Sequence, residues 1–186
     1  MANICSNFVE IEKSFSSREE LENDLLYSFY NKTKNLKEDE ELCFFEFFIP
    51  TPENIENKDL AKWHVENWGT KSEVVLDRYS FSKLNVSDNK IEICVGFDTD
   101  WDPPIKIYEY LNGKGYNIYA EFLEEASLFV GKYSSKDGYE CDEIPDPEYE
   151  RSDDEPELET VYKQLDEKYE IFDGYYYIDR LSDMDL

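Results

Sequence analysis

The sequence holds a single histidine, His64, among its 186 residues. A histidine-pair metal site and the HExxH spacing are therefore excluded, and any serine or cysteine nucleophile activated by imidazole would have to use that one ring. No GxGxxG or GxxxxGK[ST] occurs, so no glycine-rich loop is present to cradle a phosphate. No CxxC occurs either. Cys5, Cys43, Cys94 and Cys141 are widely separated, which predicts small buried thiols rather than bridges or a zinc knuckle. No apolar run reaches the roughly 18 residues that a helical membrane span needs, and Met1–Asn7 has no basic-plus-apolar leader, so the expected location is cytoplasmic. Basic residues are scarce. Against 45 Asp+Glu there are 19 Lys+Arg, a formal charge of −26 and a pI near 4.2. Such a surface repels nucleic acid and anionic membranes, which excludes docking on phosphates by simple attraction and makes cationic partners the expected ones.

What is present is a folded core. Hydrophobic residues make up 40% and aromatic residues 16%, well above the composition that keeps a chain disordered. The length suits one domain with an appendage. Acidity is concentrated at the end: residues 137–186 carry 19 Asp+Glu and four Lys+Arg, a net of −15, leaving −11 for residues 1–136. Pro145, Pro147 and Pro156 enter the same region. The expected division is a domain over 1–133 and an acidic extension over 134–186.

Periodicity gives the elements. Cys5, Val9 and Ile11 alternate as in a half-buried strand. Ser16-Ser17-Arg18-Glu19-Glu20 contains overlapping capping boxes, and Leu21, Leu25, Leu26 and Phe29 form the apolar stripe of a helix facing a sheet. Leu42–Ile49, interrupted only by Glu46, reads as a central strand ended by Pro50 and Pro52. Asn57–Gly69 reads as a helix with Leu60, Trp63, His64 and Trp68 on one side and Gly69 as its left-handed stop. Glu73–Phe81 and Ile91–Phe97 suggest a hairpin around Ser87-Asp88-Asn89. Thr99–Asp102 can cap a helix whose first turn holds Pro103 and Pro104 and whose buried face holds Tyr108 and Leu111. Tyr116–Phe122 and Ser127–Tyr133 read as a last pair of strands. In the extension, Leu158, Val161, Tyr162, Leu165 and Tyr169 have helical spacing, and Gly174–Ile178 suggests an edge strand. The expected fold is an α+β sandwich: a mainly antiparallel sheet with helices on one face, plus an acidic extension with one helix.

Several segments resemble a known family. Cys5-Ser6-Asn7, Ile49-Pro50-Thr51-Pro52, Asn67-Trp68-Gly69-Thr70-Lys71, Phe97-Asp98-Thr99-Asp100-Trp101-Asp102-Pro103-Pro104, Tyr119-Ala120-Glu121 and Gly131-Lys132-Tyr133 are similar to phage- and plasmid-borne proteins with a YubB ferredoxin-like domain. The resemblance covers residues 1–133, and its most specific part is WGTK followed some thirty residues later by FxTxWxPP. Ser72-Glu73 departs from the aromatic-plus-acid continuation usual in that family. The resemblance implies a ferredoxin-like core and a mobile-element origin, hence a host-cell cytoplasm; it implies no catalytic residue and no cofactor.

Candidate chemistry is sparse. Asp98, Asp100, Asp102 and Glu109 sit at calcium-loop spacing, but the sixth position, which needs a glycine turn, is Pro103. Paired carboxylates for hydrolysis carry no signal among 45 acids. The acidic run is the most distinctive feature: Asp137, Glu140, Asp142, Glu143, Asp146, Glu148, Glu150, Asp153, Asp154, Glu155, Glu157 and Glu159, interleaved with Tyr139, Tyr149 and Tyr162. Carboxylates held on a rigid surface imitate part of the field of a nucleic acid, and the tyrosines add stacking surface. The expectation is a non-enzymatic inhibitor, without cofactor or metal, that blocks a basic nucleic-acid-binding site on a host defence protein such as a CRISPR effector or restriction enzyme. Two alternatives stand beside it. In one, the WGTK and FxTxWxPP segments form the active surface and the acidic tail only confers solubility; in the other, the chain is a small hydrolase of unrecognised type.

Overall fold

Strand β1 (Ile4–Ser14) buries Cys5, Asn7, Val9 and Ile11 and turns Ile4, Ser6, Phe8 and Glu10 outward, so the period of two divides it into a covered and an open face. The computed structural model describes residues 3–124, 129–144 and 158–169. After β1 come α1 (Arg18–Glu22), α2 (Leu25–Thr33), β2 (Leu42–Cys43), α3 (Phe44–Phe48), α4 (Asn57–Asn67), β3 (Val75–Leu76), β4 (Phe81–Val86), β5 (Lys90–Asp100), α5 (Ile105–Gly113), β6 (Asn117–Glu124), β7 (Phe129–Ser134), β8 (Gly138–Glu143) and α6 (Leu158–Tyr169). The main sheet has the order β4-β5-β1-β6-β7-β8, with every neighbouring pair antiparallel. Strands β2 and β3 pair separately. The α+β class and the antiparallel sheet expected from the sequence are both present.

Several local expectations are corrected. Leu42–Ile49 is not a central strand: after two strand residues the chain turns into α3, because the Glu73 carboxylate accepts the Phe45 and Glu46 amides at 2.7 and 2.6 Å and caps the helix from 27 residues away. The stretch from Glu73 to Phe81 is broken at Asp77, whose carboxylate accepts the Tyr79 and Ser80 amides in an Asx turn, and pairing resumes at β4. The stripe after Ser16 is split into two helices, since Asp24 accepts from Leu26 N and starts α2; Leu25 is thereby left 36% exposed. Asp98 and Asp100 belong to β5, which continues to Asp100 opposite Ile4; the helix begins only at Ile105. Of the thiols, only Cys5 is buried: Cys43 is exposed, Cys94 and Cys141 are half-buried, and all four are free. The sheet also runs on through β8, which pairs with β7 from Phe129↔Glu143 to Ser134↔Gly138. Gly174–Ile178 lies outside the described residues.

The core occupies the covered face. Val9, Ile11, Ile91, Ile93, Val95, Ile118 and Ala120 of the sheet meet Leu21, Leu26, Phe29, Phe44, Phe45, Phe48, Trp68, Ile107, Tyr108 and Leu111, each large side chain contributing about 1.5–3 kcal/mol on burial. One polar group is built into this layer. Asn7 Nδ2 donates to Cys5 O at 2.8 Å and to Thr99 Oγ1 at 3.0 Å, while its Oδ1 accepts from the Tyr108 hydroxyl at 3.1 Å.

Helix α6 lies on the other face. The strand register places Leu123, Val130, Lys132, Glu140 and Asp142 on the open side. There Lys168 Nζ sits 2.9 Å from Glu140 and also donates to Asp142, the Tyr169 hydroxyl donates to Asp142, and Lys132 Nζ donates to Lys168 O at 3.2 Å. Leu165 and Tyr169 are buried, so α6 docks by the apolar stripe read from its spacing. The side chain of Tyr162 lies outside the described residues. Among the described residues, no helix is long and apolar enough to cross a membrane.

Candidate functional site

The half of the open face that no described helix covers, on β4, β5, β1 and β6, is built by the polar positions of the same alternation that buries the core. Ser6 stands opposite Asp98, Phe8 opposite Gly96 and Glu121, Glu10 opposite Cys94 and Tyr119, and Glu12 opposite Glu92. Cross-strand neighbours of this kind are about 4.5–5.5 Å apart at Cβ, so the carboxylates form a ladder fixed by backbone pairing. Like charges directly opposite are destabilising, and lysines separate the closest pair: Lys90 Nζ lies 2.7 Å from Glu12 and 3.2 Å from Glu92, and Lys83 lies 3.0 Å from Glu92. Hydrogen bonds from Asn85, then Lys83 and Lys90, hold the Glu92 carboxyl down to about 2. Lys90 and Asn117 hold Glu12 below its ordinary value. Asp98 accepts from Ser6 Oγ at 2.8 Å, and among the described residues no lysine or arginine pairs with Asp98 or Glu10. Between these acids stand two exposed apolar side chains, Phe8 at 39% and Ile4 at 55%.

The sequence-predicted acids divide into four groups. Asp137 is exposed in the β7–β8 turn, where its amide donates to Ser134 Oγ and its carboxylate accepts from the same hydroxyl. Glu140 and Asp142 face α6 and are engaged by Lys168, with Lys132 3.8 Å from Glu140; Lys168 and then Tyr169 lower the Asp142 carboxyl. Tyr139 points to the covered side and stacks on Phe122 at 5.7 Å and 6°; Glu143 shares that side by register. Asp146, Glu148, Tyr149, Glu150, Asp153, Asp154, Glu155 and Glu157 lie outside the described residues, and of Glu159 only the helical backbone is described. The structure thus joins part of the expected set to one edge of a larger acidic sheet, and internal lysines engage two of its members.

No protein-family model, curated protein or solved structure matches this chain.

The site is therefore read from its own geometry. The two motifs that carry the family resemblance meet in space, and most of their residues are internal. Trp68 is buried and its indole donates to Ile49 O at 3.0 Å. Gly69, at φ 91°, lies so close to α5 that a Cβ there would stand 2.9 Å from Ile105 N. Thr70 Oγ1 donates to Asp100 O, and Thr99 Oγ1 to Asp102 O, both at 2.9 Å. These residues weld the α4 end to the β5 end. Lys71, Asp98, Trp101 and Asp102 are exposed; Trp101, at 37%, has φ 71° and lies under Lys71 at 4.9 Å. His64 is buried against Trp68. Among the described residues no cluster of three His, Cys, Asp or Glu could hold a metal.

Sequence reasoning missed Phe8, Glu10, Asp98 and Glu121 as surface residues. The signal was present in the outward half of the β1 alternation, but strand register was needed to place Asp98 and Glu121 beside it.

Proposed function

We propose that this chain is a binding protein rather than an enzyme, and that it blocks a basic, nucleic-acid-binding surface on another protein by presenting a fixed array of carboxylates. The observation that carries this reading is the open-face ladder of Glu10, Glu12, Glu92, Asp98 and Glu121, held by strand pairing around exposed Phe8 and extended toward β8 by Glu140 and Asp142. The overall charge of −26 supports it, since complementary fields steer association and disfavour wrong partners. Phe8 offers a face on which an arginine can stack.

The scaffold in this reading is ferredoxin-like. The order β4-β5-β1-β6, with helices in the β1–β4 and β5–β6 connections, has the β-α-β-β-α-β pattern of a split βαβ fold. Beyond that core, β7 and β8 widen the sheet. The resemblance to mobile-element proteins makes a host defence nuclease, a CRISPR effector or restriction enzyme in the host cytoplasm, the target class.

The test is competition. A basic target captured by this protein should be released by excess duplex or guide RNA, and binding should weaken as salt rises from about 50 to 200 mM, because charges outside contact range are screened within about 10 Å at 0.1 M. Replacing Glu10 and Asp98 by lysine should slow association at low salt. Salt-insensitive binding, or retention of the target under excess nucleic acid, would overturn the proposal.

A further inference from the structure

On the helical side of the molecule a hollow of about 330 Å³ opens beside α3 and α4, lined by Cys43, Glu46, Thr51, Leu60, His64, Trp68 and Glu73. That volume lies at the small end of ligand sites and suits one side chain or a fragment-sized molecule. Its charged groups are both acceptors, and the one ring donor that lines it, the Trp68 indole N–H, is already bonded to Ile49 O. Glu46 and Glu73 are carboxylates. The Nδ1 of His64 lies 2.8 Å from Lys71 O, which can only accept, so this bond selects the tautomer with the hydrogen on Nδ1 and the lone pair on Nε2. The ring is 9% exposed, stacked on Trp68 at 3.8 Å and 13°, and no described residue bonds to Nε2.

Both carboxylates are fixed. Glu73 accepts the amides of Phe45, Glu46 and Val74 at 2.7, 2.6 and 2.7 Å, and Glu46 accepts Thr51 N at 3.0 Å and Thr51 Oγ1 at 2.8 Å. Among the described residues neither pairs with a lysine or arginine. Burial pushes the Glu73 carboxyl up, and the neighbouring charge of Glu46 adds to it, against the three amides. Two anchored anions and a buried acceptor nitrogen beside apolar Leu60 and Trp68 complement a cation that has several donors and a short aliphatic stem. A metal ion fits less well, since no three ligands cluster there.

We propose that this hollow binds an alkylguanidinium group, its planar N–H fork bonded to His64 Nε2 and set against the charges of Glu46 and Glu73, with its stem over Leu60 and Trp68. A guanidinium supplies five donors in one plane, which matches acceptors placed on different walls. The site does not depend on the open sheet face: exchanging charges at Glu10 and Asp98 should leave it unchanged, so the two proposals fail separately.

The full chain is titrated with butylguanidinium and with its uncharged counterpart butylurea, following the Trp68 indole N–H and the His64 ring by NMR. Butylguanidinium should give saturable shifts at both residues, and butylurea should bind at least about tenfold more weakly, as expected for losing charge-assisted hydrogen bonds. Glu46→Gln should weaken butylguanidinium by a similar factor. His64→Phe, which keeps a ring over Trp68, should do the same, so the proposal does not hang on one variant folding. N-acetylarginine amide is the third arm: its binding supports a protein side chain as the source, and binding of butylguanidinium alone supports a free small molecule. Absence of saturable shifts, or equal affinity for butylguanidinium and butylurea, would overturn the proposal.

Discussion

Alanine at Gly131 should destabilise the protein more than a surface substitution can, because a fixed ring and a backbone carbonyl already occupy the space. Gly131 lies in β7 opposite Phe122 of β6 and Cys141 of β8. The Phe122 ring crosses the glycine and stacks on Tyr139. An added Cβ would stand 2.4 Å from Phe122 Cζ and 2.5 Å from Glu140 O, whereas carbon atoms rest about 3.5–4.0 Å apart. The ring must therefore retreat by about 1 Å. Overpacking of this kind costs about 1–3 kcal/mol, and loss of the ring pair about 0.5–1.5 kcal/mol more, so a total of about 1.5–4.5 kcal/mol is expected. For a chain of this size that lowers Tm by about 3–18 °C, measurable by calorimetry or by circular dichroism in urea. Phe122→Leu should relieve the part of the clash that the ring makes, leaving the Glu140 carbonyl, so the double variant should be at least about 1 kcal/mol less destabilised than the sum of the singles. A Gly131→Ala protein within about 0.5 kcal/mol of the parent, or strict additivity with Phe122→Leu, would refute the pairing of β6, β7 and β8.

Three further outcomes are expected. Asn7→Ala leaves the buried Tyr108 hydroxyl without its acceptor and removes the donor that Thr99 Oγ1 accepts from, and should cost about 2–4 kcal/mol in urea denaturation, more than Tyr108→Phe at about 1 kcal/mol; the reverse ranking would contradict the network. The Asp142 carboxyl is lowered by Lys168 and then Tyr169, so its contribution to docking α6 is complete above the unfolded value of about 3.9 and is lost as pH falls through the lower folded value. Hydrogen exchange over residues 158–169, corrected for intrinsic rates, should then stay level from about pH 8 to 5 and rise below about 4; loosening between 6 and 8 would argue against this contact. The Glu92 carboxyl should titrate near 2 by carbon NMR, moving upward in Asn85→Ala and Lys83→Met, and an unchanged midpoint in both variants would contradict the assigned causes.

The elements legible in the sequence are those whose determinants are local. The β1 alternation, the serine cap of α1, the Gly69 stop and the Ser87-Asp88-Asn89 turn each lie within a few residues of what they shape. Two of the elements misread, α3 and the end of β5, are set from a distance, whereas the breaks at Asp24 and Asp77 are local caps hidden inside an apolar pattern. Nothing near Phe44 announces a helix, because its cap is Glu73, and nothing near Thr99 announces that the strand continues, because β1 holds it there. Strand β8 is a different case. Tyr139 and Cys141 alternate with Glu140 and Asp142 as a strand should, yet read as composition the same residues suggest only a charged run. The acidic character of the site was therefore visible as a total, whereas its position depended on register and on the lysines of β7 and α6.

The outermost described strand, β8, has a colloidal consequence. An edge with no partner among the described residues invites a second molecule to add its own edge, and in this chain Glu140, Asp142 and Glu143 put a cluster of negative charge along that border. Two such borders repel while ionised. Near the isoelectric value of about 4.2, that mutual exclusion fades together with the overall charge, so acidified solutions should turn turbid through rim-to-rim stacking, and dilute alkali should clear them.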